Sequence, residues 1–318
     1  MAFWTANPCK RKLMFRQYRE IQTFRFSLSA DSRDLESGLA SLYPALHAKP
    51  GTASVAWETR RIHDPRKKSL TYGYYEDGDA IFETEDIHEL FDNLEWRITT
   101  RILQSLGHLV QVHASGLVAG GKALLLVGPS GAGKTSLALS LVMRGWKCLS
   151  DEVILVEPMG KKVWPLPRSF HVDAKTLGLF PELTLKDAGR VFLDDSGKRR
   201  FDPSFILNDW VAKPSAPAWI VFPNHSSGNR RGLIPLGETE ALTLLLGQAI
   251  NLVSQGSTGL DTLTELVRRC QCFTLNAPDL DSASRAVERL AEENHPQALC
   301  APRGGSWPFP LANVLRAW

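Results

Sequence analysis

The segment Gly128-Pro-Ser-Gly-Ala-Gly-Lys-Thr135 constrains this chain more than any other stretch. It matches the phosphate-binding loop pattern G-x-x-x-x-G-K-[ST] at every defined position. The wholly apolar run Ala123-Leu-Leu-Leu-Val127 enters it, as expected of a strand buried on both faces. A helical segment from Lys134 to Arg144 leaves it, and Gly145 supplies the stop. Chance gives the bare pattern in roughly one chain in a hundred, and the strand and helix lower that further. The expected fold class is therefore α/β, with the loop at the carboxyl edge of a sheet.

The chemistry asks for these residue types. Gly128, Pro129, Ser130, Gly131, Ala132 and Gly133 form a cradle whose backbone N–H groups turn inward around a phosphate. The helix that follows adds partial positive charge. Lys134 can reach the β- and γ-phosphates, and the Thr135 hydroxyl can ligate Mg²⁺. ATP and Mg²⁺ are the expected cofactors, with Lys134 also a catalytic candidate.

Asp151 and Glu152 follow Lys134 by 17 and 18 residues. One helix and one strand fill that interval, which brings the pair to a strand end beside the loop. A carboxylate there can hold the metal, and a second can accept the proton of an attacking hydroxyl. Neighbouring residues on a regular strand face opposite ways, so both serve one site only where the strand is ending. His113 lies 15 residues before Gly128, in Val112-His-Ala-Ser-Gly, a strand-like stretch that can pair with Leu124–Val127. By itself a lone histidine is as readily a packing residue as a catalytic one.

Elsewhere the chain is ordinary. Its 318 residues suggest about two domains. The 37 basic and 34 acidic residues give +3, too weak a balance to imply a nucleic-acid or membrane partner. Cys9, Cys148, Cys270, Cys272 and Cys300 form neither a disulfide framework nor a zinc ribbon, and buried thiols in a reducing compartment are expected. No apolar run approaches the roughly 20 residues of a membrane span, so a cytoplasmic protein is expected.

The expected organisation has three parts: an N-terminal α+β region at 1–108, a nucleotide-binding catalytic domain at 109–295, and a Pro/Gly/Trp-rich tail at 296–318. Residues 1–23 read as a loose basic leader. Strands are expected at Phe24–Leu28 and Ala53–Trp57, a short helix at Leu35–Tyr43, and a polar turn over 63–68. A long amphipathic helix fits Thr84 to Leu106, where Ile87, Phe91, Leu94, Ile98, Ile102 and Leu106 recur at steps of three and four. Further on, Trp146–Ser150, Val153–Val156 and Ala218–Phe222 read as strands, the polar Asp194–Arg200 stretch as an exposed loop, and Thr239–Ser254 and Leu280–Glu292 as helices. The tail reads as surface or as a contact with a neighbouring subunit, which leaves a homo-oligomer open.

Together, His113, the phosphate loop, Ser136-Leu-Ala-Leu-Ser-Leu-Val-Met-Arg-Gly145 and Asp151-Glu152 resemble the HPr kinase/phosphorylase family, and more closely its shorter HPr-kinase-related members. The resemblance is specific across about 113–157. It is looser at Trp164-Pro-Leu-Pro-Arg168, at Trp219–Pro223 and at Leu42-Tyr43-Pro44. It implies a phosphoenolpyruvate-carboxykinase-like catalytic domain, a mixed sheet with flanking helices, that transfers phosphate from ATP with Mg²⁺ to a protein serine. Carried over residue by residue, it puts the nucleotide on Gly128–Thr135 and the metal on Thr135, while Asp151 is expected nearer the metal of the two carboxylates. His113 becomes the catalytic histidine, and Glu152 the proton-accepting acid.

There are two departures. Glu152 stands where the family has Asp, and the Glu-Ile-Arg-Gly signature tied to the reverse, phosphorylase reaction has no counterpart. The longer Glu152 side chain can act as the base only if its backbone sits correspondingly farther back, and the missing signature argues against a bifunctional enzyme and against HPr itself as the acceptor. The expectation is thus an ATP- and Mg²⁺-dependent kinase acting on a serine or threonine of a protein or peptide.

Two rival readings remain at this point. One is a small-molecule kinase, whose arginine-bearing lid would have to come from Arg230-Arg231 or Arg268-Arg269. The other is a nucleotide-dependent regulatory protein without transferase activity. Arg168, Arg230 and Arg231 are the available cations for transition-state charge.

Overall fold

The computed structural model describes residues 13–63, 69–184, 198–224 and 231–294. The described residues divide into two compact units, one ending at Ser105 and one beginning at Leu106. Cys9, Cys300, Arg230, the 296–318 tail, most of the 63–68 turn and residues 194–197 of the expected polar loop lie outside the described residues.

The first unit is α+β. Its strands are β1 (Phe15–Ile21), β2 (Phe24–Ala30), β3 (Val55–Ile62), β4 (Thr71–Glu76) and β5 (Asp79–Thr84), paired in that order. Only the β2–β3 pair is parallel. Helix α1 (Arg33–Ser41) connects that pair, and α2 (Ile87–Ser105) follows β5. Phe26 stacks edge-on against both Tyr43 and Trp57 in the core. Gly38 of α1 lies directly over the Phe91 ring of α2, where a Cβ would come within 2.0 Å of ring carbons.

Two expectations need correction here. Residues 15–21 are a strand rather than a leader, because Arg19 is buried and donates to the carbonyls of Tyr43 and Leu46 at 2.6 and 2.7 Å. The long helix starts at Ile87, not Thr84. Thr84 closes β5, and the Asp86 carboxylate accepts from the His88 N–H in the turn between.

The second unit is built on β6 (Val110–Ala119), β7 (Lys122–Val127), α3 (Lys134–Met143), β8 (Lys147–Ser150), β9 (Val153–Val156) and β10 (Val163–Trp164). A small hairpin follows, β11 (Phe170–Val172) with β12 (Arg199–Phe201), and between its strands lie short helices α4 (Ala174–Gly178) and α5 (Pro181–Thr184). The chain then returns to the main sheet through β13 (Ala216–Asn224), β14 (Gly232–Pro235), α6 (Glu238–Leu246), α7 (Leu252–Arg269), β15 (Gln271–Asn276) and α8 (Leu280–Asn294).

The main sheet runs β10-β9-β6-β7-β13-β15-β14, with β8 also paired to β6. β7, β13 and β15 are parallel neighbours and the remaining pairs are antiparallel. This is the mixed α/β architecture expected from the sequence. Alternation along β7 sends Ala123, Leu125 and Val127 into a core shared with Leu245 of α6 and Leu263, Leu266 and Val267 of α7. Leu124 and Leu126 are equally buried on the opposite face, which explains the unbroken apolar run.

Two further expectations change. The helical reading at Thr239–Ser254 resolves into α6 and the start of a second helix that continues to Arg269, bent at Gly256 where φ is 57°. Strand β15 was not foreseen. Among the described residues, no helix is long and apolar enough to cross a membrane.

Candidate active site

The loop between β7 and α3 owes its shape to glycines. Gly131 and Gly133 have φ of 81° and 79°, the left-handed region that side chains other than glycine rarely occupy. α3 begins at Lys134 immediately after. Lys134 is buried, and its Nζ donates to the carbonyls of Gly128 and Pro129 at 2.6 and 2.9 Å, so its stem lies along the loop it serves. Nζ also stands 3.3 Å from Nε2 of His113.

His113 gets there through the hairpin β6–β7, in which Ala114 pairs with Val127. One residue earlier, the place of β7 beside β6 is taken by the segment after α6. The His113 N–H donates to the Gln248 carbonyl at 2.8 Å. His113 and Ser115 alternate onto one face of β6. Burial, then the charge of Lys134, hold the His113 imidazole below its ordinary pKa. Burial also lowers Lys134, against the opposing pull of Asp151 and Glu152.

The acidic pair occupies the tight turn between β8 and β9. The Ser150 hydroxyl accepts from the N–H groups of Glu152 and Val153 at 3.3 and 3.2 Å, a side-chain substitute for a backbone turn. The turn is fastened to β6 by Ala114 N–H to Glu152 O at 3.0 Å and by Ser115 Oγ to Asp151 O at 2.8 Å. Close approach requires Gly116 there, since a Cβ would fall 2.9 Å from Ile154 and 3.1 Å from Leu149. Two adjacent carboxylates can share one region because the chain is turning, as the spacing required.

Their environments differ. Asp151 is buried, and its Oδ1 accepts from Ser115 Oγ at 3.1 Å. Burial pushes its pKa up to about 7, against hydrogen bonds from Ser115 and Thr135 and the charge of Arg168. The Glu152 side chain is 42% exposed and pairs with the guanidinium of Arg168, itself 12% exposed.

The structure thus brings together Lys134, Thr135, His113, Asp151, Glu152 and Arg168. Of the other cations weighed, Arg231 is exposed ahead of β14, Arg268 pairs with Glu265, and Arg269 donates to the Met159 carbonyl. Ser115 was missed by sequence reasoning, although its place two residues after His113 on a strand is a usable signal. Cys148, Cys270 and Cys272 are free thiols, with burial raising the pKa of each.

Oxygen donors suit a hard divalent cation, and Mg²⁺ is commonly held by one or two carboxylates together with substrate phosphates. The buried Asp151 carboxylate beside the Thr135 hydroxyl fits that pattern. Among the described residues, no cluster of three or more His, Cys, Asp or Glu is placed to hold a metal by protein ligands alone.

No family model matches the chain. The HPr kinase/phosphorylase of Nitrosomonas europaea is 25% identical over 187 residues, covering 55% of this chain and 56% of that protein. The HPr kinase/phosphorylase of Mycoplasmopsis pulmonis is 34% identical over 87 residues, covering 26% of this chain and 28% of that protein. The chain therefore spans about half the length of the first relative and about a quarter of the second. Among solved structures, the HPr(Ser) kinase/phosphatase of Coxiella burnetii aligns over 57% of this chain and 98% of that one, with 14% identity and a TM-score of 0.30.

Fold and loop define the class, a P-loop-containing α/β protein. Within that class the chain is similar in sequence to the two HPr kinase/phosphorylases just given.

Proposed function

We propose that this chain is a phosphotransferase that moves the γ-phosphate of ATP, with Mg²⁺, to a serine or threonine hydroxyl of a protein or peptide. The observation that carries the reading is the convergence of Lys134, His113 and the Asp151–Glu152 turn at one end of the phosphate loop. A loop that only held MgATP would use the buried Asp151 as a metal partner but would not need the exposed Glu152 and its paired Arg168 beside it.

In this reading the loop N–H groups and Lys134 hold the β- and γ-phosphates, and Thr135 and Asp151 hold the metal. Bound Mg²⁺ would neutralise charge on the phosphates during transfer. Glu152 takes the proton of the acceptor hydroxyl, since its carboxylate is on the exposed side where an acceptor arrives. Arg168 orients Glu152 and adds positive charge near the transferred group. His113, neutral, keeps Lys134 aimed. The names of the relatives favour a protein acceptor, while the missing Glu-Ile-Arg-Gly signature favours the forward reaction alone.

Of the two arginine pairs weighed for the lid of a small-molecule kinase, Arg268 and Arg269 are engaged along α7 and with the Met159 carbonyl. Arg230 lies outside the described residues and Arg231 is exposed, so that pair stays a candidate.

Transfer of label from γ-labelled ATP to serine-bearing peptides encoded beside this protein's gene tests the proposal. Label should appear on an acceptor with wild type and be lost with Lys134→Ala. ATP affinity equal in wild type and Lys134→Ala would overturn the nucleotide site. Rapid pyrophosphate release from a phosphorylated product and inorganic phosphate would overturn the forward-only assignment.

A further inference from the structure

Two ladders meet on β6 and leave a gap between them. Pairing with β9 ends at His113, opposite Val153, and pairing with β8 begins at Gly116, opposite Ser150. Asp151 and Glu152 cross the gap, beside Ala114 and Ser115. Ala114 holds Glu152 through its backbone N–H, whereas Asp151 is held by a side chain, the hydroxyl of Ser115.

Ser115 is fully buried, as is Leu117 two residues on, which alternation puts on the same face of β6. A hydroxyl in such a place costs stability unless it is hydrogen-bonded. Its single proton is shared between two acceptors of one residue, the Asp151 carbonyl at 2.8 Å and the carboxylate Oδ1 at 3.1 Å. The carbonyl contact fastens the backbone where the sheet ladder cannot. The Oδ1 contact adds nothing to that fastening. It fixes the rotation of the carboxylate, which is also hydrogen-bonded to the Thr135 hydroxyl.

We infer that Ser115 is a positioning residue for the metal: by gripping Asp151 at both its carbonyl and its Oδ1, it keeps the carboxylate turned towards Thr135. The inference rests on the reading given above, in which Thr135 and Asp151 hold Mg²⁺. That ion demands near-ideal octahedral geometry, so a carboxylate free to turn is a poorer ligand than one already set. Losing a group that orients a metal ligand typically costs about 10–100-fold in metal affinity. Ser115 acts only through Asp151, so its removal should weaken the metal and spare the phosphate loop.

Calorimetry on the full chain with ATP in EDTA and with MgATP gives the factor by which Mg²⁺ tightens ATP binding. Ser115→Ala should cut that factor by about tenfold or more, with metal-free ATP affinity within about twofold of wild type. That retained affinity also shows that the variant is folded. On an Asp151→Asn background, Ser115→Ala should cut nothing further, because residues acting through one another do not add. Should Ser115→Ala not fold, Ser115→Cys fills the space with a weak donor and carries the same test with the same expected loss. A wild-type factor retained in the variant, an equal fall with and without the metal, or a further loss beyond Asp151→Asn would each overturn the assignment of Ser115. Two results in the wild type reach deeper. No gain from Mg²⁺ would overturn the metal reading, and no binding of ATP the nucleotide reading, and the inference would fall with either.

Discussion

The ammonium of Lys134 stands 3.3 Å from Nε2 of His113, so a histidine shares its position with a fixed cation. The ammonium donates, which requires the lone pair on Nε2 and puts the ring proton on Nδ1. Burial and the neighbouring charge keep this ring neutral at pH 7. On acidification the unfolded chain takes up the histidine proton near pH 6.5 while the folded protein resists. The unfolded state then binds more protons, so stability falls as pH drops through and below that value. Between pH 7 and 5, wild type should lose more in melting temperature than His113→Asn. Parallel melting curves against pH would remove the coupling between these two residues.

Glu152→Gln keeps the size of the side chain and removes the proton acceptor. Turnover on a verified acceptor should fall by roughly 10²–10⁴-fold, the usual contribution of a general base. ATP affinity should stay within about twofold, because Glu152 is placed on the acceptor side. A variant that turns over like wild type would move the base to Asp151 or His113.

Arg168 pairs with Glu152, so their effects should not add. Arg168→Ala alone should lower turnover, and the Arg168→Ala/Glu152→Gln double variant should be little worse than Glu152→Gln. The expected coupling is about 0.5–3 kcal/mol, as for directly contacting groups. Fully additive losses would mean that Arg168 acts on the phosphate rather than through the carboxylate.

Asp151 titrates in the opposite sense to His113. Burial raises its folded pKa to about 7, against about 3.9 when unfolded. Its contribution to stability is therefore fully present below pH 3.9 and is lost as pH rises through 7. Asp151→Asn imitates the neutral acid, so without metal it should be more stable than wild type at pH 8, by about 1–4 kcal/mol. MgATP should reverse the order, because a bound cation favours the ionised carboxylate. Urea unfolding at pH 8 with and without MgATP measures both. A less stable Asp151→Asn in the metal-free arm contradicts the burial argument.

Much of the site was legible because its residues lie within one short stretch. The phosphate loop declares itself by composition, and the acidic pair by its distance from Lys134. Arg168 was only one of several candidate cations, since nothing in Pro165-Leu-Pro-Arg168 says which group the guanidinium will meet. In the fold, β1 escaped notice because Arg16, Arg19 and Glu20 look solvated. The buried Arg19 is held by two carbonyls more than twenty residues away, and hydropathy carries no trace of that. The helix expected at Thr239–Ser254 stops well short of the end of α7 at Arg269, and Gly256 and Gly259 lie just past that expected boundary. Packing of Leu263, Leu266 and Val267 against the sheet outweighs the roughly 1 kcal/mol that each glycine costs a helix.

Strand β7 has two partners of very different age. β6 is its hairpin neighbour, whereas β13 begins roughly ninety residues after Val127. A ribosome adding about 5–20 residues per second needs roughly 4–18 s to cross that gap. For that interval the nascent chain carries Ala123–Val127 with one edge bare, and apolar bare edges recruit other strands. The parallel pairing that later forms the floor of the phosphate loop thus makes this strand an adhesive one during synthesis. Yield in the cell will depend on how well the half-made chain is shielded until Ala216–Asn224 emerges.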